Sequence, residues 1–154
     1  MARMVRGSEL TDFLRCRLKW KYYWVDGYVP KTPDKKLFFG TLVHKFIEVW
    51  YATGRDSQSA FQAMEELFRA TDTSGMEQTE IDELWDLACH VVANYDRTYR
   101  DVDTFKVLAQ ELTFAVPVTD DIVYTGTVDL VYAVDGGWIE FMDHKTTFSL
   151  DEYV

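Results

Sequence analysis

The 154-residue sequence contains only two cysteines, Cys16 and Cys89, which excludes a framework of disulfide bonds. No apolar run reaches the roughly 18 residues that a transmembrane helix needs, so the sequence predicts neither a membrane span nor a membrane partner. The N-terminal segment also lacks the apolar core of a secretory signal. Because two unpaired thiols suit a reducing compartment, we expect a cytoplasmic protein. The chain of 154 residues is long enough to bury a core, so we expect one globular domain.

Basic residues are in the minority, but they are unevenly distributed along the chain. The formal net charge is −10, which argues against a protein whose whole surface binds nucleic acid. Residues 1–45 contain ten Lys or Arg against four Asp or Glu, whereas residues 46–154 contain six against 22. This asymmetry predicts one basic surface that faces a polyanion, or else a basic helix that is merely solvated.

The basic N-terminal region predicts an amphipathic helix. Ser8 is a good N-cap residue, and apolar residues then recur at helical spacing, namely Leu10, Phe13, Leu14 and Leu18. The opposite face is basic and runs into an aromatic stretch that begins at Trp20; its charges are Arg15, Arg17, Lys19 and Lys21. Basic and aromatic residues together can follow a phosphate backbone and stack the bases of a single strand. The alternative is that most of the aromatic rings belong to the core.

The C-terminal part of the sequence predicts a β-hairpin. Two β-rich runs, residues 122–134 and 138–146, flank an Asp-Gly-Gly turn. If Val134 pairs with Trp138 across a three-residue loop, Asp129 falls opposite Asp143.

This register gathers charged side chains on one face of the hairpin. Asp143 and Lys145 point the same way as Asp129, whereas His144 points to the other side. Two neighbouring carboxylates both stay ionised only if a cation lies between them. Hard oxygen ligands of this kind suit Mg²⁺ or Mn²⁺. The alternative is a solvated sheet face on which the charges happen to align.

A second candidate ligand lies on a predicted apolar helix that follows Gly40. His44 is at the border of a broad apolar stripe, and Glu48 follows one turn later. Residues at this spacing can share a metal ion. However, a lone helical histidine is more often structural, and Glu48 could equally form an ion pair on the surface.

The middle of the chain predicts two more helices and then a strand, with no evident chemistry in the helices. Residues 105–118 alternate so that Val107, Ala109, Glu111 and Thr113 share one face. Glu111 is either a support for the site or the partner of a surface ion pair.

Four ordered blocks of the sequence resemble the PD-(D/E)XK nucleases, in particular the RecB-type exonuclease branch that is related to CRISPR-associated exonucleases. The blocks are Ser8-x-Leu10-x-x-Phe13-x-x-Cys16-Arg17, Gly40-x-x-x-His44, Gly126-x-x-Asp129 and Asp143-x-Lys145-Thr146. The resemblance implies an α/β fold with a restriction-endonuclease-like core, in which an antiparallel three-stranded sheet is flanked by an N-terminal helical region. It implies one nuclease domain over residues 1–154, mainly helical in 1–104, with a catalytic β-meander in 105–148 and a tail in 149–154.

The resemblance also assigns roles to residues. It implies that His44, Asp129 and Asp143 bind Mg²⁺ or Mn²⁺ together with the main-chain carbonyl of the residue after Asp143. Asp129, Asp143 and Lys145 are then the catalytic residues, and Glu111 occupies the position of a glutamate that supports or joins the site. Iron–sulfur members of the branch use a cysteine at the position of Cys16 with three more near the C-terminus. This sequence lacks those three, so we expect no iron–sulfur cluster and a packed thiol at Cys16.

The resemblance breaks at the C-terminal end of the chain. The next element of the branch is a helix with a Gln-x-x-x-Tyr motif, which does not occur between Lys145 and Val154. We therefore expect the last helix and strand of the fold to be missing. Two functions stay open: a metal-dependent deoxyribonuclease, an exonuclease on single strands or strand ends, and a non-catalytic nuclease-like module that binds DNA, a helicase or a recombination protein. A sequence-specific endonuclease is disfavoured because no dedicated reading element is present.

Overall fold

The computed structural model describes residues 2–30 and 34–147. The elements in these ranges are β1 (Arg3–Arg6), α1 (Gly7–Arg15), α2 (Arg17–Trp20), a π-helical turn (Lys21–Val25), α3 (Lys35–Ala52), α4 (Ser57–Ala70), α5 (Gln78–Tyr99), β2 (Lys106–Thr119), β3 (Ile122–Ala133) and β4 (Ile139–Met142). None of these helices combines the length and the apolar character that crossing a membrane requires. The predicted tail at residues 149–154, where the last helix was expected to be missing, lies outside the described residues.

The chain divides into two compact units that each combine two segments. The first unit consists of Met1–Lys31 and Glu111–Val128, and the second consists of Thr32–Gln110 and Asp129–Val154. The strands β2 and β3 contribute residues to both units.

The second unit is built around α3, the predicted apolar helix. Asp34 caps its start by accepting hydrogen bonds from the main-chain N–H groups of Lys36 and Leu37. Apolar side chains cover so much of α3 that it is buried along most of its length and packs against both α4 and α5. Trp50 is fully buried and donates its indole N–H to Asp96 at 2.7 Å. The predicted apolar stripe is therefore confirmed.

The first unit contains a short strand that the sequence did not predict. β1 pairs in parallel with the start of β3, with Val5 opposite Tyr124. The sheet consequently has four strands in the order β1-β3-β2, with β4 also paired to β3, rather than the three antiparallel strands expected. No periodic pattern indicates this strand, because Val5 is its one buried residue.

The N-terminal helix forms, but its details differ from the prediction. α1 begins at Gly7 with Arg6 rather than Ser8 at the N-cap, and it ends at Arg15 because Cys16 has an extended backbone. The leucines of the expected apolar stripe are exposed, Leu14 most of all at 82%. The buried residue of this helix is instead Glu9, which accepts hydrogen bonds from Arg3 and from the indole N–H of Trp20.

The predicted hairpin register is confirmed in the second unit. The main-chain N–H of Val134 donates to the carbonyl of Trp138 at 3.0 Å, and Leu130 pairs with Met142. Gly136 and Gly137 both have positive φ, which only glycine adopts at little cost in the tight turn. Asp129 and Asp143 are the chain neighbours of this last pair, Asp129 just before Leu130 and Asp143 just after Met142.

Candidate metal centre

The centre of the candidate site is the pair formed by His44 of α3 and Asp129 of β3. His44 Nδ1 lies 3.6 Å from Asp129 Oδ2, and both side chains are largely shielded from solvent. His44 and Asp129 each offer a ligand atom to a group of described residues that could hold a metal ion. Two of the expected site residues thus meet in the second unit.

A close approach of two segments brings His44 to the hairpin. A Cβ atom built on Gly40 would lie 2.9 Å from Thr146 Oγ1, nearer than side-chain atoms normally approach. Glycine at this position therefore lets α3 pack directly against the segment that follows β4. Because His44 lies one helical turn after Gly40, the same approach carries its ring to Asp129. This contact gives a physical reason for the Gly40-x-x-x-His44 spacing.

The Asp129 carboxylate is held by the residue that follows Asp143. The main-chain N–H of His144 donates to Asp129 Oδ2 at 2.6 Å, and the Nδ1 atom of the His144 ring lies 3.8 Å from the same oxygen. Asp129 therefore has a fixed orientation before any ligand arrives.

The side chain of His144 is a site residue that the sequence analysis missed. Strict alternation placed it on the face away from Asp129, and that expectation is wrong. β4 ends at Met142, so the alternation of a strand no longer governs the next residues. The ring is 11% exposed, and burial lowers the pKa of His144 against the opposing attraction of Asp129.

Asp143 and Lys145 contact each other rather than the His44–Asp129 pair. Their charged atoms lie 2.5 Å apart, and both side chains are more than half exposed. Within the described part of the chain, Asp143 does not belong to the group of possible metal ligands that includes His44 and Asp129. A metal-binding role for Asp143 and a catalytic role for Lys145 therefore stay predictions.

Glu111 has an unusual backbone for a residue inside a strand. Its φ of 47° lies in the left-handed region, which residues other than glycine rarely adopt. The alternating burial does not continue past Glu111. Before it, Val107 and Ala109 are half-buried; after it, the half-buried residue is Phe114, which a regular strand would place on the opposite face. The predicted shared face of Val107, Ala109, Glu111 and Thr113 stays a prediction. Strain of this kind is concentrated at functional sites.

The expected DNA-binding residues differ in how far their charges are already paired. Lys19 lies 2.6 Å from Asp12, and Lys21 lies 2.5 Å from Asp26. The Lys19 ammonium group, with a second hydrogen bond from Trp24, lowers the pKa of Asp12. Two other basic residues form no ion pair with any residue of the described ranges, namely Arg15 and Arg17. The arginines are therefore the more available of the four for phosphate groups.

Three other expectations are settled by contacts. Glu48 forms an ion pair with Lys45 at 3.0 Å, which favours its surface alternative. Cys16 is exposed rather than packed, and its Sγ accepts a hydrogen bond from the main-chain N–H of Lys19 at the start of α2. Cys89 packs at the edge of the core.

The mixed α/β fold and the histidine–carboxylate group together describe a nuclease-type centre on a restriction-endonuclease-like fold. Residues 7–152 match the family model of the PD-(D/E)XK nuclease superfamily, and the chain belongs to this superfamily. Comparisons with curated proteins and with solved structures gave no match. Superfamily membership indicates a nuclease and implies DNA as the substrate.

The residues of the site fit a divalent cation. Ligand atoms on one ion lie up to about 4.4 Å apart when the bonds are about 2.2 Å long. The 3.6 Å between His44 Nδ1 and Asp129 Oδ2 is within this limit. One imidazole nitrogen and one carboxylate group form a mixed donor pair. Carboxylate oxygens suit Mg²⁺ and Mn²⁺, and the imidazole favours Mn²⁺ of the two because affinity for nitrogen ligands is higher for transition metals.

Proposed function

We propose that the protein is a metal-dependent DNA exonuclease of the RecB-type branch that hydrolyses phosphodiester bonds at single strands or strand ends. The observation that carries the proposal is the approach of His44 Nδ1 to Asp129 Oδ2 at 3.6 Å in a chain of the PD-(D/E)XK superfamily. In this proposal His44, Asp129 and Asp143 bind Mg²⁺ or Mn²⁺, and Glu111 is a further ligand or a support. The main-chain carbonyl of His144 completes the set.

The roles of the residues follow from their contacts. A divalent cation in this position supplies Lewis-acid stabilisation of the phosphoryl charge and lowers the pKa of water. Asp129 is oriented for binding by the N–H of His144. The Lys145–Asp143 pair is exposed, so it contributes at most about 1 kcal/mol and can exchange partners readily. Lys145 would leave Asp143 for a phosphoryl oxygen, and Asp143 would then be free to bind the cation.

DNA binding in this proposal involves the N-terminal helices. Arg15 and Arg17 supply charge for the phosphate groups, and Lys19 and Lys21 add to it when they release their aspartate partners. The supporting observation is the absence of an ion pair at the two arginines within the described residues. Cytoplasmic location and a helicase or recombination partner belong to the same proposal.

A second candidate is a non-catalytic nuclease-like module that binds DNA or a protein partner. The observation in its favour is that Lys145 and Asp143 neutralise each other in an exposed ion pair. In such a module the pair stays closed when DNA binds, and no cleavage follows.

Mn²⁺ titration calorimetry beside a DNA cleavage assay separates the two candidates. Lys145→Ala should leave Mn²⁺ affinity nearly unchanged and reduce cleavage by about 10²–10³, because it removes one electrostatic partner of the transition state. Asp129→Asn should lose metal affinity and cleavage together. The matched control is Lys35→Ala, which breaks an equally exposed ion pair with Glu80 and should leave both readouts at the parent value.

The assay should use linear and circular DNA in single- and double-stranded forms. An exonuclease cuts the linear forms and spares the closed circles. A parent protein that binds Mn²⁺ and DNA but cuts no form, with or without Lys145, would establish the non-catalytic module instead.

A further inference from the structure

A chain of buried hydroxyl groups leads from the interior of the second unit to His144. The Tyr51 hydroxyl donates to Asp103 Oδ2, and the two phenolic oxygens of Tyr51 and Tyr95 lie 2.9 Å apart. The Tyr95 oxygen in turn lies 3.0 Å from His144 Nε2. Tyr51 and Asp103 are buried, and neither belongs to the expected site.

The direction of every hydrogen bond in this chain follows from its inner end. The Tyr51 hydroxyl has a single hydrogen, which it donates to the Asp103 carboxylate. The Tyr51 oxygen can then only accept from Tyr95, whose own proton is thereby used. The Tyr95 oxygen must therefore accept from His144, which places a hydrogen on Nε2 of that ring.

Both phenols keep their protons at neutral pH. Burial, followed by the hydrogen bond to Asp103, raises the pKa of Tyr51. Burial raises the pKa of Tyr95 to about 12. Neither hydroxyl therefore ionises under physiological conditions, and the order of donors along the chain is fixed.

We propose that Asp103, Tyr51 and Tyr95 are positioning residues that hold His144 with its hydrogen on Nε2 and so keep the Asp129 carboxylate available to a cation. A neutral imidazole carries one hydrogen, so Nδ1 is left bare opposite Asp129 Oδ2, 3.8 Å away. In the other tautomer, Nδ1–H would donate to that oxygen and compete with the metal for it. The hydroxyl chain prevents this competition. The effect on cleavage rests on the proposed nuclease function, whereas the tautomer does not.

The chain makes an unusual prediction for Tyr51, whose hydroxyl is linked to His144 Nε2 through the hydroxyl of Tyr95. Tyr51→Phe removes the acceptor of the Tyr95 proton, so the Tyr95 hydroxyl becomes free to donate to His144 Nε2. The hydrogen on the ring should then move to Nδ1. Tyr95→Phe removes the acceptor altogether and should leave a mixture of both tautomers. A role in packing alone would move the tautomer in neither variant.

The experiment combines long-range ¹H–¹⁵N spectra of the histidine rings with Mn²⁺ titration calorimetry. Spectra of the metal-free parent should show His144 with its hydrogen on Nε2, and Tyr51→Phe should show it on Nδ1. Mn²⁺ affinity should fall by about 10–100-fold in Tyr51→Phe, the usual effect of disturbing residues behind a metal ligand, and by about twofold in Tyr95→Phe, where about half of the rings keep the tautomer of the parent. Tyr99→Phe is the matched control on the same helix, since its ring packs against Tyr95, and it should behave as the parent.

The outcomes are separable from those of the nuclease proposal. A parent ring with its hydrogen on Nδ1, or variants that bind Mn²⁺ as the parent does, would overturn the positioning role. If either variant does not fold, the spectrum of the parent and the titration of the other variant still test the positioning role. A parent with the expected tautomer and metal affinity that cuts no DNA would refute the nuclease activity while supporting the positioning role.

Discussion

The contact between Gly40 and Thr146 gives the sharpest prediction about how the site is assembled. Gly40→Ala introduces two opposing effects. Alanine stabilises a helix interior by about 1 kcal/mol relative to glycine. The new Cβ, however, would lie 2.9 Å from Thr146 Oγ1, and overpacking of this kind costs about 1–3 kcal/mol. We therefore expect Gly40→Ala to lower the free energy of unfolding by up to about 2 kcal/mol.

The cause can be isolated with a double-mutant cycle in urea. Thr146→Ala removes the Oγ1 atom. In that background, Gly40→Ala should raise the free energy of unfolding by about 1 kcal/mol, the full amount by which alanine stabilises a helix relative to glycine. The two substitutions should thus be coupled by about 1–3 kcal/mol, since they occupy the same space. Additivity within about 0.5 kcal/mol, or stabilisation by Gly40→Ala alone, would refute the close approach and its role in placing His44.

Three further predictions concern charge and burial. Arg15→Glu should weaken DNA binding and reduce the slope of log affinity against log salt by about one or more, whereas Arg69→Glu should change neither; fluorescence polarisation across a salt series checks this. Glu9→Ala should lower the free energy of unfolding by about 1–3 kcal/mol, because the indole N–H of Trp20 loses its buried acceptor. Unchanged urea denaturation would contradict it. Trp50→Phe should cost roughly 2 kcal/mol through the lost volume and the lost indole hydrogen bond, again by denaturation.

The elements that follow a strong period were predictable from the sequence. The apolar stripe of α3 repeats over the whole helix, so burial of residues such as Phe46 and Trp50 follows from spacing alone. The hairpin register was predictable because the Asp-Gly-Gly turn fixes the loop length, and the loop length fixes which residues pair. Once Leu130 pairs with Met142, the proximity of Asp129 to the following segment needs no further information.

Features that depend on a single residue or on a distant partner were not predictable. β1 has one buried side chain, Val5, and one apolar residue has no period. The positive φ of Glu111 was not predictable from the sequence. Glutamate rarely adopts a positive φ, so its residue type does not indicate one. The exposed stripe on α1, with Leu14 at its centre, shows that an apolar pattern predicts a helix but not what covers it.

The direction of the His144 side chain could not be predicted from the strand pattern. The predicted register holds as far as Met142, where β4 ends, and it correctly pairs Met142 with Leu130, the residue after Asp129. After Met142 the chain is no longer part of a strand, so each side chain points in the direction that its own contacts determine. The His144 ring turns inward and forms a hydrogen bond with the Tyr95 hydroxyl, while Asp143 and Lys145 pair in solvent. Tyr95 is distant in sequence and lies on a helix without evident chemistry. The direction of the His144 ring is therefore a property of the folded core, which a local pattern does not contain.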